Sequence, residues 1–366
     1  MKKYLATTMF GLESILKQEL KFLNFNIINV SDGKIIFEGD DRTPAKTAMF
    51  LRTAGRIYEI LSDEFCNDFD TYFDLVINVP WEDIIRKNRF VYTKGETTNS
   101  KISSVPVIQS MGKKAIIKRL LEKWNIDRIS ESEGETNITF SFEKDRLQIL
   151  LDVCGRSLHK RGYRVGKVEA PVRETLAAGI CELAYVKDVN KVIDPFCGSG
   201  TLLIEYYMMK RRIAPGLITH KRNFLSDYIN ESDYNLFIEE AKSRIVEADC
   251  DFVGYDIDSN ALDAFRKNLT KAGFTDDIIV ARKDFMKYNI ENDRNLVICN
   301  PPYGERIGKE EDLVEIYGKL EEMFTYSNNL LFAVYTGYDK FRIRNSQVKN
   351  RKLFNGKIKS YLYLKK

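Results

Sequence analysis

Four short stretches between residues 192 and 306 hold the residue types that a nucleotide-like cofactor and an amine nucleophile require. In Asp194-Pro-Phe-Cys-Gly-Ser-Gly-Thr201 an apolar run ends in Asp194. A turn carrying Phe196, Gly198 and Gly200 follows, and a helix is expected from Thr201. Glycines at the carboxyl end of a strand let the backbone approach a ligand where doubly wound folds bind one. The turn lacks the third glycine of the dinucleotide fingerprint, and the chain has no GxxxxGK[ST] loop, so neither NAD nor ATP is indicated. In Gly254-Tyr-Asp-Ile-Asp258, Asp256 is placed to accept both ribose hydroxyls of an adenosine, while Asp258 suits the cap of a helix over 259–272. In Lys283-Asp-Phe285, Asp284 can accept an adenine amino group with Phe285 against the ring edge; an ordinary surface turn is the competing reading.

The fourth stretch, Asn300-Pro-Pro-Tyr303, follows the apolar run 295–299. Pro301 has no N–H and restricts Asn300 to extended geometry, which holds the amide rigidly. A planar exocyclic amine is a poor nucleophile because its lone pair is delocalised into the ring. Acceptors from the Asn300 side chain and the Pro301 carbonyl, one for each amine hydrogen, localise that lone pair. Pro302 stiffens the loop and Tyr303 offers a face for stacking. Alignment for in-line methyl transfer then supplies the rest, with no metal and no nucleophilic side chain. Cys299 and Cys197 read as packed thiols, His159 as no general base, Glu205 as an ordinary helix residue, and Glu305 and Arg306 as loop-shaping or RNA-contacting.

These stretches need a parallel sheet to bring them together, and the pattern after residue 175 supplies one: long helix, short apolar strand, helix, strand. The preceding sequence reads as two smaller α+β patterns. Strands at 2–7, 26–30, 34–38 and 56–61 surround helices at 11–23 and 43–53, the latter with Thr43 as cap and Pro44 at its first position. A helix near 71–76, a strand at 89–93, a helix over 107–123 and a hairpin of 136–142 with 146–153 follow. The expected division is 1–65, 66–155, a basic junction 156–175, and a catalytic domain 176–366.

The 366 residues are 44% hydrophobic and 30% charged, which excludes a disordered chain and allows two or three domains. No apolar run reaches the length of a membrane span, and the lysine-led start lacks a cleavage site, so a cytoplasmic protein is expected. Six cysteines without a CxxC and only two histidines argue against a metal site. The net charge of +4 is unevenly placed. Residues 340–366 hold ten cations and no acid, leaving 47 cations against 53 anions before them, a net of −6. Such asymmetry suggests a polyanionic partner, although a solvated basic end is the commoner reading. Candidate phosphate contacts are Lys113, Lys114 and Lys118 on the 107–123 helix, Arg156, Lys160, Arg161 and Arg164 in the junction, and Arg342 and Arg344 near the end.

With the four stretches in order, the sequence resembles Rossmann-like S-adenosylmethionine-dependent methyltransferases that methylate amines. Leu158-His-Lys-Arg-Gly-Tyr-Arg164, Ala170-Pro-Val-Arg-Glu-Thr-Leu-Ala-Ala178, the Asp194–Thr201 turn, Ile213-Ala-Pro-Gly-Leu217 and Asn300-Pro-Pro-Tyr-Gly-Glu-Arg306 narrow it. Together they resemble the bacterial THUMP-containing guanine-N2 RNA methyltransferases, in particular those acting on large-subunit (23S) ribosomal RNA. The likeness is strong over 156–306 and one of pattern alone before that. It implies a ferredoxin-like segment and a THUMP RNA-binding domain ahead of the catalytic domain; a monomer or weak dimer is expected separately. It also implies S-adenosylmethionine held by the Asp194–Thr201 turn, Asp256 and Asp284, with the base presented by 300–303. Some relatives carry a second methyltransferase domain; the chain ends at Lys366, so the guanine-N2 activity alone is expected. Transfer RNA, DNA adenine N6, a protein glutamine amide, or a non-catalytic RNA-binding assembly role are the alternatives.

Overall fold

A computed structural model describes residues 1–130, 133–165, 172–218, 227–303, 310–355 and 358–366, whose strands form two seven-stranded sheets. The first is built from β1 (Lys2–Thr8), α1 (Glu13–Phe22), β2 (Asn26–Ser31), β3 (Lys34–Gly39), α2 (Thr43–Phe50), β4 (Ala54–Phe65), α3 (Phe69–Ile77), α4 (Trp81–Ile84), β5 (Phe90–Thr98), α5 (Val105–Trp124), β6 (Glu135–Glu143) and β7 (Arg146–Asp152). Its order is β2-β3-β1-β4-β7-β6-β5. Every neighbour is antiparallel except the parallel pair β5 and β6.

The two α+β patterns of the sequence therefore share one sheet, because β4 pairs with β7 from Tyr58 opposite Asp152 to Phe65 opposite Arg146. Ser62, Asp63 and Glu64 end the apolar alternation, so the sequence signal stops at 61. The strand itself continues past a register shift between Ile60 and Ser62, and Asp63 then pairs across the ladder with Arg146 and accepts from Gln148 at 3.0 Å. Helix α2 also differs from the reading of Thr43 as its cap. Thr43 is its first residue, with its Oγ1 accepting the Asp40 N–H at 2.9 Å, so the hydroxyl closes the preceding turn instead.

The second sheet is made by α6 (Glu174–Ala184), β8 (Lys191–Asp194), α7 (Thr201–Lys210), α8 (Pro215–Ile218), α9 (Glu231–Ser243), β9 (Asp251–Asp256), α10 (Ser259–Ala272), β10 (Ile279–Arg282), β11 (Asn295–Cys299), α11 (Glu310–Tyr326), β12 (Leu331–Thr336), β13 (Lys349–Asn355) and β14 (Ile358–Lys365). Its order is β10-β9-β8-β11-β12-β14-β13. The first five run parallel, and β14 lies antiparallel between β12 and β13. All five residues of β11 are buried, as expected for a strand covered on both faces. Helix α10 runs between Asp258, whose carboxylate accepts from Asn260 N–H, and Gly273 in the left-handed region at φ 80°. This is the cap anticipated for 259–272.

The amino-terminal unit packs against this domain at α6 and α8 through small residues. A Cβ on Gly179 of α6 would lie 2.4 Å from Leu12, and one on Gly216 would lie 2.6 Å from the Met49 backbone. Leu12 and Ile15 consequently belong to the same apolar core as Leu176, Leu202 and Tyr335. Arg52 crosses the boundary, donating from Nη2 to the carbonyls of Ile213 (2.8 Å) and Met208 (3.4 Å).

Two substitutions test this packing. Gly200, just before α7, has φ 81°, and a Cβ there would meet the Phe265 ring at 1.9 Å. Gly200→Ala is expected to cost about 1–3 kcal/mol from overpacking, read as a lower melting temperature. Glu19 accepts from Thr53 Oγ1 (2.5 Å), Arg52 N–H (2.9 Å) and Thr53 N–H (3.2 Å) at the same boundary. Burial pushes its carboxyl up from 4.5 to about 7, against the opposing pull of those donors. A raised carboxyl pKa means the fold favours the protonated form, so its stabilisation is complete below about 4.5 and lost as pH rises through about 7. The melting temperature of Glu19→Gln should therefore gain on that of the unsubstituted chain between pH 4.5 and 7.5; a constant gap would remove Glu19 from that role.

Candidate active site

Parallel strands β8, β9, β10 and β11 all end on the same edge of the sheet, and the four chemistry-bearing stretches leave from those ends. The strand order reverses between β8 and β11, the place where open α/β sheets form a crevice. Asp194, 1% exposed, accepts the Phe196 N–H at 3.0 Å and so shapes the turn from beneath it. Burial, reinforced by Asp256, holds its carboxyl well above the usual range. The turn is tied to β9 twice. Cys197 N–H donates to the Tyr255 carbonyl at 2.9 Å, and Gly198 N–H donates to Asp256 Oδ2 at 2.8 Å. Gly198 has φ 51°, which favours glycine, and a Cβ there would meet nothing within 4 Å.

Asp256 also accepts the Asp258 N–H on Oδ1 at 3.0 Å. Burial raises its pKa, and the backbone donors of Asp258 and Gly198 pull the other way. A carboxylate has about four acceptor positions, so two such bonds leave capacity for a diol. Asp284 accepts the Met286 N–H at 2.9 Å and starts a single 3₁₀ turn, Phe285–Lys287. The Phe285 ring lies 4.7 Å from that of Phe196, centroid to centroid.

These groups surround one cavity of about 430 Å³, lined by Phe196, Gly198, Asp256, Asp284, Phe285, Asn300 and Pro302 from the expected set. That volume falls within the roughly 300–1,000 Å³ of small-molecule sites. Ile257, Lys283, Met286, Asp312, Glu315 and Ile316 complete much of the wall. Among the described residues, four carboxylates line the wall against the single ammonium of Lys283, a balance that favours a cationic ligand. Lys283 itself stands 4.2 Å from the ring centroids of both Tyr255 and Tyr288.

The other expected residues stand behind this surface. Asp194 and Gly200 shape the turn, and the buried Thr201 hydroxyl accepts from Arg164 Nη2 at 3.2 Å. Pro301 and Tyr303 are buried, Tyr303 against Gly337, where a Cβ would lie 2.8 Å from its ring. Tyr303 thus stands behind the wall and is no exposed stacking face. A polar chain anchors the loop: Tyr338 N–H donates to Thr336 Oγ1 (3.0 Å), which contacts Tyr317 Oη (2.5 Å), which donates to the Pro302 carbonyl (3.1 Å). Nothing in the sequence singled out Tyr317 or Thr336, because their role arises only where α11 and β12 meet the loop.

The expected RNA contacts divide. Arg161 is a correction: it is 2% exposed, donates from Nη1 to Leu158 O (2.6 Å) and from Nη2 to Arg52 O, and lies 3.5 Å from the buried Glu205. A guanidinium so enclosed cannot meet a phosphate. Glu205, read as ordinary, is the buried acid of this cluster and also accepts from Tyr163 Oη at 3.0 Å. Arg164 is likewise turned inward, to Val172 O (2.7 Å), Thr201 and Glu174. Lys113 is partly covered, its Nζ 4.1 Å from the Phe90 ring centroid, whereas Lys114, Lys118, Arg156, Lys160, Arg342 and Arg344 are exposed. Burial and neighbouring cations push His159 down to about 4, so its ring is neutral near pH 7. Lys167, Ala170, Pro171, His220, Glu305, Arg306 and Lys357 lie outside the described residues. Among the described residues, no cluster of three or more His, Cys, Asp or Glu could hold a metal, and no helix is long and apolar enough to cross a membrane.

Comparison with known proteins agrees with this geometry. Residues 161–363 match the RMKL-like methyltransferase domain and residues 3–58 the RlmL ferredoxin-like domain. YpsC of Bacillus subtilis (strain 168), an RNA methyltransferase by name, is 32% identical over 99% of this chain and 96% of its own. The ribosomal RNA large subunit methyltransferase K/L of Aliivibrio salmonicida (strain LFI1238) is 33% identical over 94% of this chain. This chain spans about half the length of that protein, 52%. The solved structure of SMU.472 in complex with SAH superposes with a TM-score of 0.89, at 29% identity, covering 100% of this chain and 97% of that one. An α/β domain of Rossmann-like order behind a ferredoxin-like segment, matched along most of its length, places this chain in the RMKL-like methyltransferase family.

Proposed function

We propose that this protein transfers a methyl group from S-adenosylmethionine to the exocyclic N2 amine of a guanine in RNA, with large-subunit ribosomal RNA as the substrate. The observation that carries the reading is one cavity that joins Asp256 and Asp284 to Asn300 and Pro302. An adenosine-type cofactor fits its first half: Gly198 leaves open space, Asp256 retains acceptor capacity, and Phe196 and Phe285 supply an apolar wall. SMU.472 holds SAH in a fold of the same order, which supports the same assignment here. The cofactor supplies an electrophilic methyl group on a sulfonium, and the acidic wall suits that charge.

The chain's own part is positioning. The Asn300 side chain and the Pro301 carbonyl accept the two amine hydrogens, keeping the nitrogen lone pair toward the methyl carbon. Tyr317 holds the Pro302 carbonyl and thereby fixes the loop. Neutral His159 is not needed as a base. Residues 1–65 would act as the ferredoxin-like segment, 66–155 as a THUMP RNA-binding domain, 156–175 as the junction and 176–366 as the catalytic domain. The exposed Lys114 and Lys118 on α5, with Arg156, Lys160, Arg342 and Arg344, would hold phosphates. A guanine paired in a helix is inaccessible at N2, so the base must leave the stack to reach Asn300.

Asn300→Ala should lower methyl transfer at least about 100-fold, the scale of losing one preorganised polar group at a reacting centre, while SAH binding by calorimetry persists. Asp256→Ala should weaken SAH affinity about 10- to 100-fold, as expected for hydrogen bonds to a charged group. Full turnover in the first variant, or unchanged affinity in the second, rejects the corresponding role. Mass spectrometry of digested RNA from deletion and parental cells identifies the substrate. Loss of N2-methylguanosine from large-subunit RNA alone is expected; loss from tRNA alone would move the assignment to tRNA.

A further inference from the structure

The wall that carries Asp284, Phe285 and Met286 is a single 3₁₀ turn followed by extended chain, and such a turn leaves its carbonyls without a continuing helix to pair with. One side chain gathers them. Lys319, two turns beyond the start of the lining stretch of α11, donates from Nζ to Phe285 O (2.7 Å), Met286 O (3.0 Å) and Tyr288 O (2.8 Å). An ammonium has three hydrogens, and all three distances lie in hydrogen-bonding range. The same Nζ stands 5.0 Å from the centroid of the Phe285 ring, which itself faces the cavity.

We infer that Lys319 is a positioning residue for the cofactor, fixing the turn that presents Asp284 and Phe285 to the adenine. Its cation reaches the cavity through the backbone it holds and touches no ligand. Lysine suits the task better than arginine, because three carbonyls converging on a point match a compact ammonium and not a planar fork. Without Lys319, the turn keeps the Met286 N–H bond to the Asp284 carboxylate, the Lys287 N–H bond to Asp284 O (3.0 Å) and a longer Tyr288 N–H bond to Phe285 O (3.3 Å), while the Met286 and Tyr288 carbonyls lose the ammonium that joins them to it.

The inference rests on the cofactor reading of the cavity, and calorimetric titration of the full chain with SAH separates the two. Lys319→Met keeps the apolar stem and should bind SAH about tenfold or more weakly, the ratio that corresponds to about 1.4 kcal/mol. In turnover assays on large-subunit RNA the effect should fall on the cofactor KM more than on kcat. Lys319→Ala should show the same loss and regain affinity in millimolar propylammonium, which replaces the missing carbons and ammonium. A merely structural lysine would lower the melting temperature without amine rescue of affinity. SAH affinity equal to that of the unsubstituted chain in Lys319→Met, or a loss in Lys319→Ala that propylammonium leaves unchanged, overturns the inference. Failure of the unsubstituted chain to bind SAH overturns the cofactor reading, and this inference with it.

Discussion

Parallel pairing of β8 with β9 on one side and β11 on the other is the constraint on which the rest depends. Parallel strands deliver their carboxyl ends to one edge, so residues 62 and 106 positions apart in sequence, Asp194, Asp256 and Asn300, leave the sheet together. The reversal of order between β8 and β11 keeps helices from covering that edge at the same point. Every later contact refines this arrangement. The bonds from Cys197 and Gly198 to β9 lock one exit to its neighbour, and the Tyr338–Thr336–Tyr317–Pro302 chain locks the β11 exit to β12 and α11.

A second set of buried polar contacts couples this domain to the amino-terminal unit. Arg161 and Tyr163 meet Glu205 of α7, Arg52 reaches the Met208 carbonyl in the last turn of that helix and the Ile213 carbonyl beyond it, and Arg164 contacts its first residue. Helix α7 is therefore held at both ends by groups from outside the parallel sheet. Charged groups taken out of water are stable only with such partners, and breaking one leaves the other uncompensated. The orientation of the amino-terminal unit relative to the cavity is thus fixed by enclosed ion pairs and carbonyl contacts as well as by apolar packing.

Most of the doubly wound domain was legible because its signals are local. The β11 run is apolar throughout, Asp258 and Gly273 bracket α10, and glycines mark the turn after β8. The cavity gathers Asp256, Asp284 and Asn300 because each stands at, or within two residues after, the end of a strand of the parallel set. Legibility failed where a side chain's meaning depends on a distant partner. Arg161 and Arg164 resemble Lys160 in sequence, yet they are enclosed by carbonyls and acids that arrive from residues 52, 172, 174 and 205. Tyr303 carries the chemistry of a stacking platform and is instead backed against Gly337. Lys319 looks like any helix lysine until the turn after β10 folds under it.

By itself the sequence determined the succession of strands and helices, the acid or amide at each strand end, and the class of chemistry those groups could serve. These follow from periodicity, capping and the conformational demands of glycine and proline, which act over a few residues. Only the tertiary structure decided that 1–152 share one sheet, which cations face solvent, and which side chains hold the cavity wall. Strand pairing and burial are set by contacts between residues far apart in the chain, and a cation's availability is what remains after those contacts form.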